Sequence, residues 1–279
     1  VTFALVILSV APQALDSIQL QNFESIHRYL AYSVAILIGG LTLSAPFYKK
    51  QFSLQPFMIG IILLPLSVLQ IMLCIMTAKQ ETNPVIMLAH LLVGVGILSL
   101  LWWMGRLTSP ELPPRTHSST HKWRPWAWLA LIFLVGQIAL GAWISANFNL
   151  NCNGFPFCNG QLLPKVNATT LSVLMDPLKT FDAETLTDIQ LIYQYGQALT
   201  AMYLGIFSIF LVFNRYLYQL AILMLVLLGV QVSLNVYALG WQHPEATIFY
   251  YYAASMLLLI TVITLLTNLY RKSQDYWYG

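Results

Sequence analysis

Charge is what this chain has least of. Lys, Arg, Asp and Glu make up 8% of its 279 residues, against about a quarter in an ordinary soluble domain. That is too little polar sequence to clothe a water-soluble core of this size. Cysteine is scarce as well, and three residues allow one disulfide at most. No run of basic residues is present, and the net charge of +3 is sorted by side of the sequence instead of clustered, so nothing here suggests nucleic acid. What fills the chain is apolar: 58% hydrophobic residues and a mean hydropathy of +0.69. Uninterrupted apolar stretches long enough to cross a ~30 Å hydrocarbon layer recur along it. The reading is an all-α polytopic membrane protein.

Spans are expected near 26–47, 54–78, 85–105, 125–146, 189–213, 217–240 and 247–269. Residues 1–11, VTFALVILSVA, read as the tail of one more helix, too short to cross alone at about 1.5 Å per residue. The expected count is therefore eight, with the first helix truncated; a cleaved signal peptide is the other reading, but no basic segment precedes the apolar run. Orientation follows from Lys and Arg. Lys49, Lys50, Arg106, Arg115, Lys122, Arg124, Arg215, Arg271 and Lys272 fall on one side, nine of the thirteen basic residues. That side is read as cytoplasmic in the inner membrane of the cell. The His27 end, the loop over 147–187 and His243 then face outward.

An internal pattern divides the chain. LQIMLC at Gln70, GQIALG at Gln137 and VQVSLN at Gln231 each place Leu three residues after Gln and a small or polar residue after that. The three copies sit in the third, fifth and seventh spans of the eight. Two pseudo-repeated four-helix bundles are expected: 1–105 with the site, a cytoplasmic linker over 106–124, and 125–279 with the outer loop. Repeated membrane bundles commonly hold their sites inside a bundle or at the repeat interface.

Two histidines stand at the mouths of spans in the first half only. His27 opens the second span and His90 lies early in the fourth; an intramembrane histidine reads as functional by default. Counted back from the cytoplasmic charges, both fall in the outer half of the bilayer, offset by ~9 Å on straight parallel helices. Two imidazoles from facing helices can hold a haem iron from both faces, and Gly94 and Gly96 would let a flat macrocycle approach the backbone. Each histidine also has a plainer reading: His27 as an interfacial side chain reaching water, His90 as a helix–helix hydrogen bond. Glu24, three residues before His27, is a candidate acid beside such a group, or a first-turn acid favoured by the helix dipole. Arg28 is a candidate partner for a propionate, or a side chain that snorkels. In the second half the aligned positions hold Gln194 and Tyr251. Glutamine is a poor axial ligand, so one haem site and no second haem are expected.

Cys152 and Cys158 are separated by five residues in the outer loop, where a disulfide is the default in an oxidising compartment. Cys74 reads as a small apolar filler. His117 and His121 share an i, i+4 spacing but sit in a Pro- and Ser-rich linker and read as solvated. Trp102, Trp103, Trp126 and Trp128 read as an interfacial belt.

The stretch from Gly141 to Pro164, with Cys152, Phe155-Pro156, Cys158 and Asn159-Gly160, resembles the outer-loop signature of the haem A synthase family. ESIHR at 24–28 is similar to that family's Glu-x-x-His-Arg motif, and LAHLLVGVG resembles its histidine-bearing fourth helix. The resemblance runs over essentially the whole chain. It implies an oxidoreductase that converts the C8 methyl of haem O to the formyl of haem A for terminal oxidase biogenesis. Glu24 would be the essential acid, and His27 and His90 would hold the substrate haem. Lipid, haem O synthase and terminal oxidase subunits are the implied partners. The missing second histidine pair and the short first outer loop depart from the family pattern. They keep open a non-catalytic haem-binding assembly protein and a small membrane cytochrome b.

Overall fold

A computed structural model describes residues 29–40, 54–78, 84–108, 118–147, 163–165, 183–240 and 244–270. Seven α-helices lie in these segments: α1 Tyr29–Gly40, α2 Leu54–Ala78, α3 Pro84–Thr108, α4 Arg124–Asn147, α5 Ala183–Val212, α6 Tyr218–Gly240 and α7 Pro244–Tyr270. A 3-10 turn, Ser118–Trp123, leads into α4. No strand occurs among the described residues. Helices α2 to α7 are each long and apolar enough to cross a bilayer, so this is a multi-pass membrane protein. The expected spans from 54–78 onward coincide with them to within a few residues, apart from the start of α5; of the span expected over 26–47, the structure describes residues 29–40, which form α1. Residues 1–11, expected to belong to an eighth helix, lie outside the described residues.

Local chemistry explains where the helices begin and turn. Proline opens both α3 and α7, where its missing N–H is no loss because first-turn donors have no intrahelical partner anyway. Pro65 sits inside α2, which continues through it, as spans tolerate when neighbouring groups re-satisfy the freed carbonyl. Between α5 and α6 the chain reverses over 213–217. Asn214 organises that reversal: its N–H donates to Leu211 O at 2.9 Å, its side-chain oxygen accepts from Tyr216 N at 3.0 Å, and its carbonyl accepts from Tyr218 N at 3.0 Å.

Helices α4, α5, α6 and α7 pack in a ring, each on the next and α7 back on α4. Helix α3 packs on α2 and also on α4 and α7, which joins the two halves. The core lies along α7, where Leu258, Leu259, Val262, Leu265, Leu266 and Leu269 are sealed from solvent and lipid alike. By contrast α1 and α2 present large apolar side chains outward, among them Ile36, Leu37, Met72 and Val68, as lipid-facing helices do.

The basic residues assigned to the cytoplasmic side also do structural work at the end of α7. Arg124 donates from Nε and Nη2 to the Leu269 carbonyl at 3.0 and 2.9 Å and lies 4.4 Å over the Tyr270 ring. Arg106 Nη2 donates to Asn268 Oδ1 at 2.6 Å. A cation at a helix C-terminus meets both an orphan carbonyl and the negative end of the dipole. Arg124→Ala is therefore expected to destabilise the protein by about 1.5–3 kcal/mol, read as a lower melting temperature in detergent, while Arg215→Ala, on the exposed α5–α6 turn, moves it little. The tryptophans placed in a belt are partly exposed there, but two of them are tethered: Trp102 Nε1 donates to Thr264 Oγ1 and Trp128 Nε1 to the Tyr270 hydroxyl, at 2.8 and 3.0 Å.

At the opposite end, one short piece of the loop over 147–187 is fixed to α5. Lys165 N donates to Asp188 Oδ1 at 2.9 Å, and its ammonium reaches Glu184 at 2.6 Å. That hydrogen bond, and then the charge of Glu184, raise the Lys165 ammonium above its ordinary range.

Candidate functional site

A cavity of about 570 Å³ opens among α1, α2, α3 and α7, inside the size range of ligand and cofactor pockets. Its wall is Ala31, Val34, Ala35 and Ile38 from α1, Ser67, Gln70, Ile71 and Cys74 from α2, His90, Gly94, Val95 and Leu98 from α3, and Ala253, Met256 and Leu257 from α7. Spacings of three and four place each set on one helix face. The surface is overwhelmingly apolar, with His90 and Gln70 the polar exceptions that meet each other: Gln70 Nε2 lies 3.4 Å from His90 Nε2. His90 is 4% exposed. A buried imidazole, an apolar chamber and a glycine in the wall suit a large macrocycle with a ligatable metal. Among the described wall residues His90 could hold its iron.

The internal repeat can be tested on this geometry. A second, much smaller pocket of about 30 Å³ lies in the α4–α7 ring, lined by Leu228, Gln231, Val232, Asn235 and Tyr251 together with Gln137 and the α5 residues Gln197, Thr200, Ala201 and Leu204. Subtracting 161 from the first five numbers, the Gln231-to-Gln70 offset, gives Ser67, Gln70, Ile71, Cys74 and His90, all of them in the wall of the large cavity. The two pockets are the same place in two copies of one motif. One copy is open and the other is filled.

The filling is polar. Gln197 Nε2 donates to the hydroxyls of Tyr193 and Tyr251 at 2.6 and 2.8 Å, and Asn235 Nδ2 donates to Gln197 Oε1 at 2.5 Å. Gln231 Nε2 donates to Ser255 Oγ at 2.9 Å. Helices α4 and α5 approach closely enough that a Cβ on Gly141 would stand 3.1 Å from the Tyr193 hydroxyl, so a small residue is needed there. The sequence alignment set Gln194 at the place of His27 and Tyr251 at that of His90. Gln197, one turn after Gln194, is a glutamine that donates to the Tyr251 hydroxyl.

Other expectations resolve residue by residue. Gly94 lines the cavity, but Gly96 does not: two residues along a helix point about 200° apart, and open space surrounds Gly96. Cys74, read as filler, stands in the cavity wall. The site was placed wholly in the first half, yet α7 supplies three of its wall residues. Tyr251 lines the small pocket and Ser255 bonds Gln231 in its wall, while Ala253, Met256 and Leu257 face the large one, so α7 is a partition between them. His121 lies in the 3-10 turn, and the described residues contain no cluster of metal-ligating side chains. Glu24, His27, Arg28, Cys152, Cys158, His117 and His243 lie outside the described residues.

Residues 15–263 match the family described as cytochrome oxidase assembly protein. The chain is also 29% identical, over 262 residues, to the heme A synthase of Shewanella oneidensis, an alignment that covers 90% of this chain and 77% of that protein. With the match extending across both pockets and all but the end of α7, the chain belongs to the cytochrome oxidase assembly protein family.

Proposed function

We propose that this protein is a haem A synthase-type oxidoreductase, which takes haem O into the large cavity and oxidises its C8 methyl to a formyl group by successive hydroxylations, for use by a terminal oxidase. The observation that carries the reading is the apolar chamber with buried His90 in its wall, in a chain related to a heme A synthase. His90 would ligate the substrate iron from the α3 side. His27 is its proposed partner, and what supports that is spacing: it precedes Ala31, a wall residue, by four positions, about one helical turn. Glu24 is the proposed acid beside the methyl group and Arg28 a proposed propionate partner. The oxidant and the electrons come from outside the chain, with the cysteines of the outer loop, Cys152 and Cys158, proposed as a disulfide on the non-cytoplasmic face of the inner membrane. One haem per chain is proposed, because the second copy of the site is occupied by its own side chains.

The test is turnover by the purified protein in lipid nanodiscs, supplied with haem O, a reductant and air, with extracted haems separated by HPLC. Formyl product from wild type, together with haem O binding but at least a hundredfold slower turnover in Glu24→Gln, is the expected result. Tight haem O binding with no oxidised product would instead favour a non-catalytic haem-handling assembly protein, the reading to which the filled second pocket lends weight. Protohaem as the retained group, reducible by quinol, would favour a membrane cytochrome b.

A further inference from the structure

Positive charge gathers at the end of α7, and the described residues do not balance it. Arg106 and Arg124 reach this end from α3 and α4 and bond consecutive residues, the Asn268 side chain and the Leu269 carbonyl. Lys122, two residues before Arg124, is exposed, with its ammonium 5.3 Å from the centre of the Trp123 ring. Each of these partners is neutral: an amide, a peptide carbonyl, an aromatic face. The acidic residues of the described helices, Glu184 and Asp188 on α5 and Glu245 on α7, lie near helix starts at the opposite end. No described carboxylate therefore offsets the three cations.

Arg124 is held with one edge of its fork open. Nε and Nη2 bond the Leu269 carbonyl along one edge of the guanidinium, which stacks 4.4 Å over the Tyr270 ring. Nη1 makes no hydrogen bond to the described residues and is not buried. The edge shared by Nη1 and Nη2 is thus free, and such an edge fits a phosphate with two parallel hydrogen bonds.

Aromatic rings fix the depth at which this fork lies. Tyr270 packs against Trp103 with ring centres 6.2 Å apart, Trp103 against Trp128 at 6.3 Å, and Trp128 Nε1 donates to the Tyr270 hydroxyl at 3.0 Å. Rings with an apolar body and a polar tip settle at the level of the lipid headgroups. A guanidinium stacked on this cluster stands among lipid phosphates and not out in the aqueous phase.

We propose that Arg124 and Lys122 form a binding site for the phosphate of an anionic phospholipid, at the junction of α3, α4 and α7. Arg106 adds its charge from α3. The unbalanced cations select an anionic headgroup over a zwitterionic one, whose own ammonium they repel. None of these residues lines either pocket, so the site is independent of the haem reading.

The experiment titrates the full chain in detergent with phosphatidylglycerol and with phosphatidylcholine of the same acyl chains. Bound lipid is counted by native mass spectrometry, and the melting temperature is followed in parallel. Wild type is expected to bind one phosphatidylglycerol about tenfold more tightly than phosphatidylcholine, and to melt higher as that lipid is added. Lys122→Gln lowers the preference severalfold while its melting temperature without lipid stays at the wild-type value. Arg124→Lys, which keeps the charge and a donor for Leu269 but has no fork, lowers it as well. Arg215→Gln, which removes a cation from the exposed α5–α6 turn on the same side of the membrane, keeps the full preference. Equal affinity of wild type for the two lipids overturns the proposal. So does a loss in Arg215→Gln as large as in Lys122→Gln, which would mean a diffuse surface potential and no site. Displacement of the lipid by an equal concentration of glycerol phosphate would assign the fork to a soluble phosphate compound and overturn the choice of a lipid.

Discussion

His90→Ala protein, purified from cells with ample haem supply, is expected to fold and to carry no haem. Its affinity for added haem O should fall at least a hundredfold. Iron ligation is directional and comes from one nitrogen, so the methyl group of alanine replaces none of it. The fold should survive, because the contact from His90 to Gln70 is long, and interhelical hydrogen bonds in membranes are worth only about 0.6 kcal/mol on average. The paired readout is Soret absorbance per chain and melting temperature in detergent. His121→Ala serves as control, since His121 lies in the 3-10 turn ahead of α4, away from both pockets, and should keep its haem. Full haem occupancy in His90→Ala would remove the large cavity from consideration as the binding site.

The sequence made the helices legible because their cause is local. A run such as 54–78 has no charged residue, and its limits in the structure are the limits read from hydropathy. The repeat was legible for the same reason as the histidine: glutamine and histidine are costly in lipid and therefore few, and the interval of 20 residues from Gln70 to His90 recurs from Gln231 to Tyr251. What the sequence could not convey was the partition role of α7. Ala253, Met256 and Leu257 are ordinary apolar residues in an apolar helix, and nothing in their spelling says that they wall a cavity belonging to the other half. Nor did it show that Gln197 would bond Tyr251, because that pairing depends on where a tyrosine hydroxyl lies on a helix some fifty residues later. Composition fixes which segments enter the membrane; pairings between helices are set by packing, and those had to be seen.

Gly94→Leu should abolish haem uptake while leaving the protein at least as stable as wild type. Gly94 stands in the cavity wall, and at the equivalent place in the second half a side chain, Ser255, reaches across to its glutamine. A leucine there would project into the same space in the first half and compete directly with a macrocycle. Replacing glycine inside a helix by leucine also gains up to about 1 kcal/mol in helix propensity, and filling an apolar cavity adds to it. Loss of ligand with unchanged or higher melting temperature is the signature of steric exclusion and not of unfolding. Gly96→Leu is the companion: it makes the same change in propensity two residues away, into open space outside the cavity, and should keep full haem occupancy. If both variants lost haem, the cause would lie in α3 as a whole. If neither did, the open copy of the repeated site would not be where the ligand binds, and the volume difference between the two pockets would have no bearing on function. A loss confined to Gly94→Leu would tie that difference, about 570 against about 30 Å³, to a division of labour in which one half receives the substrate and the other holds the partition wall rigid.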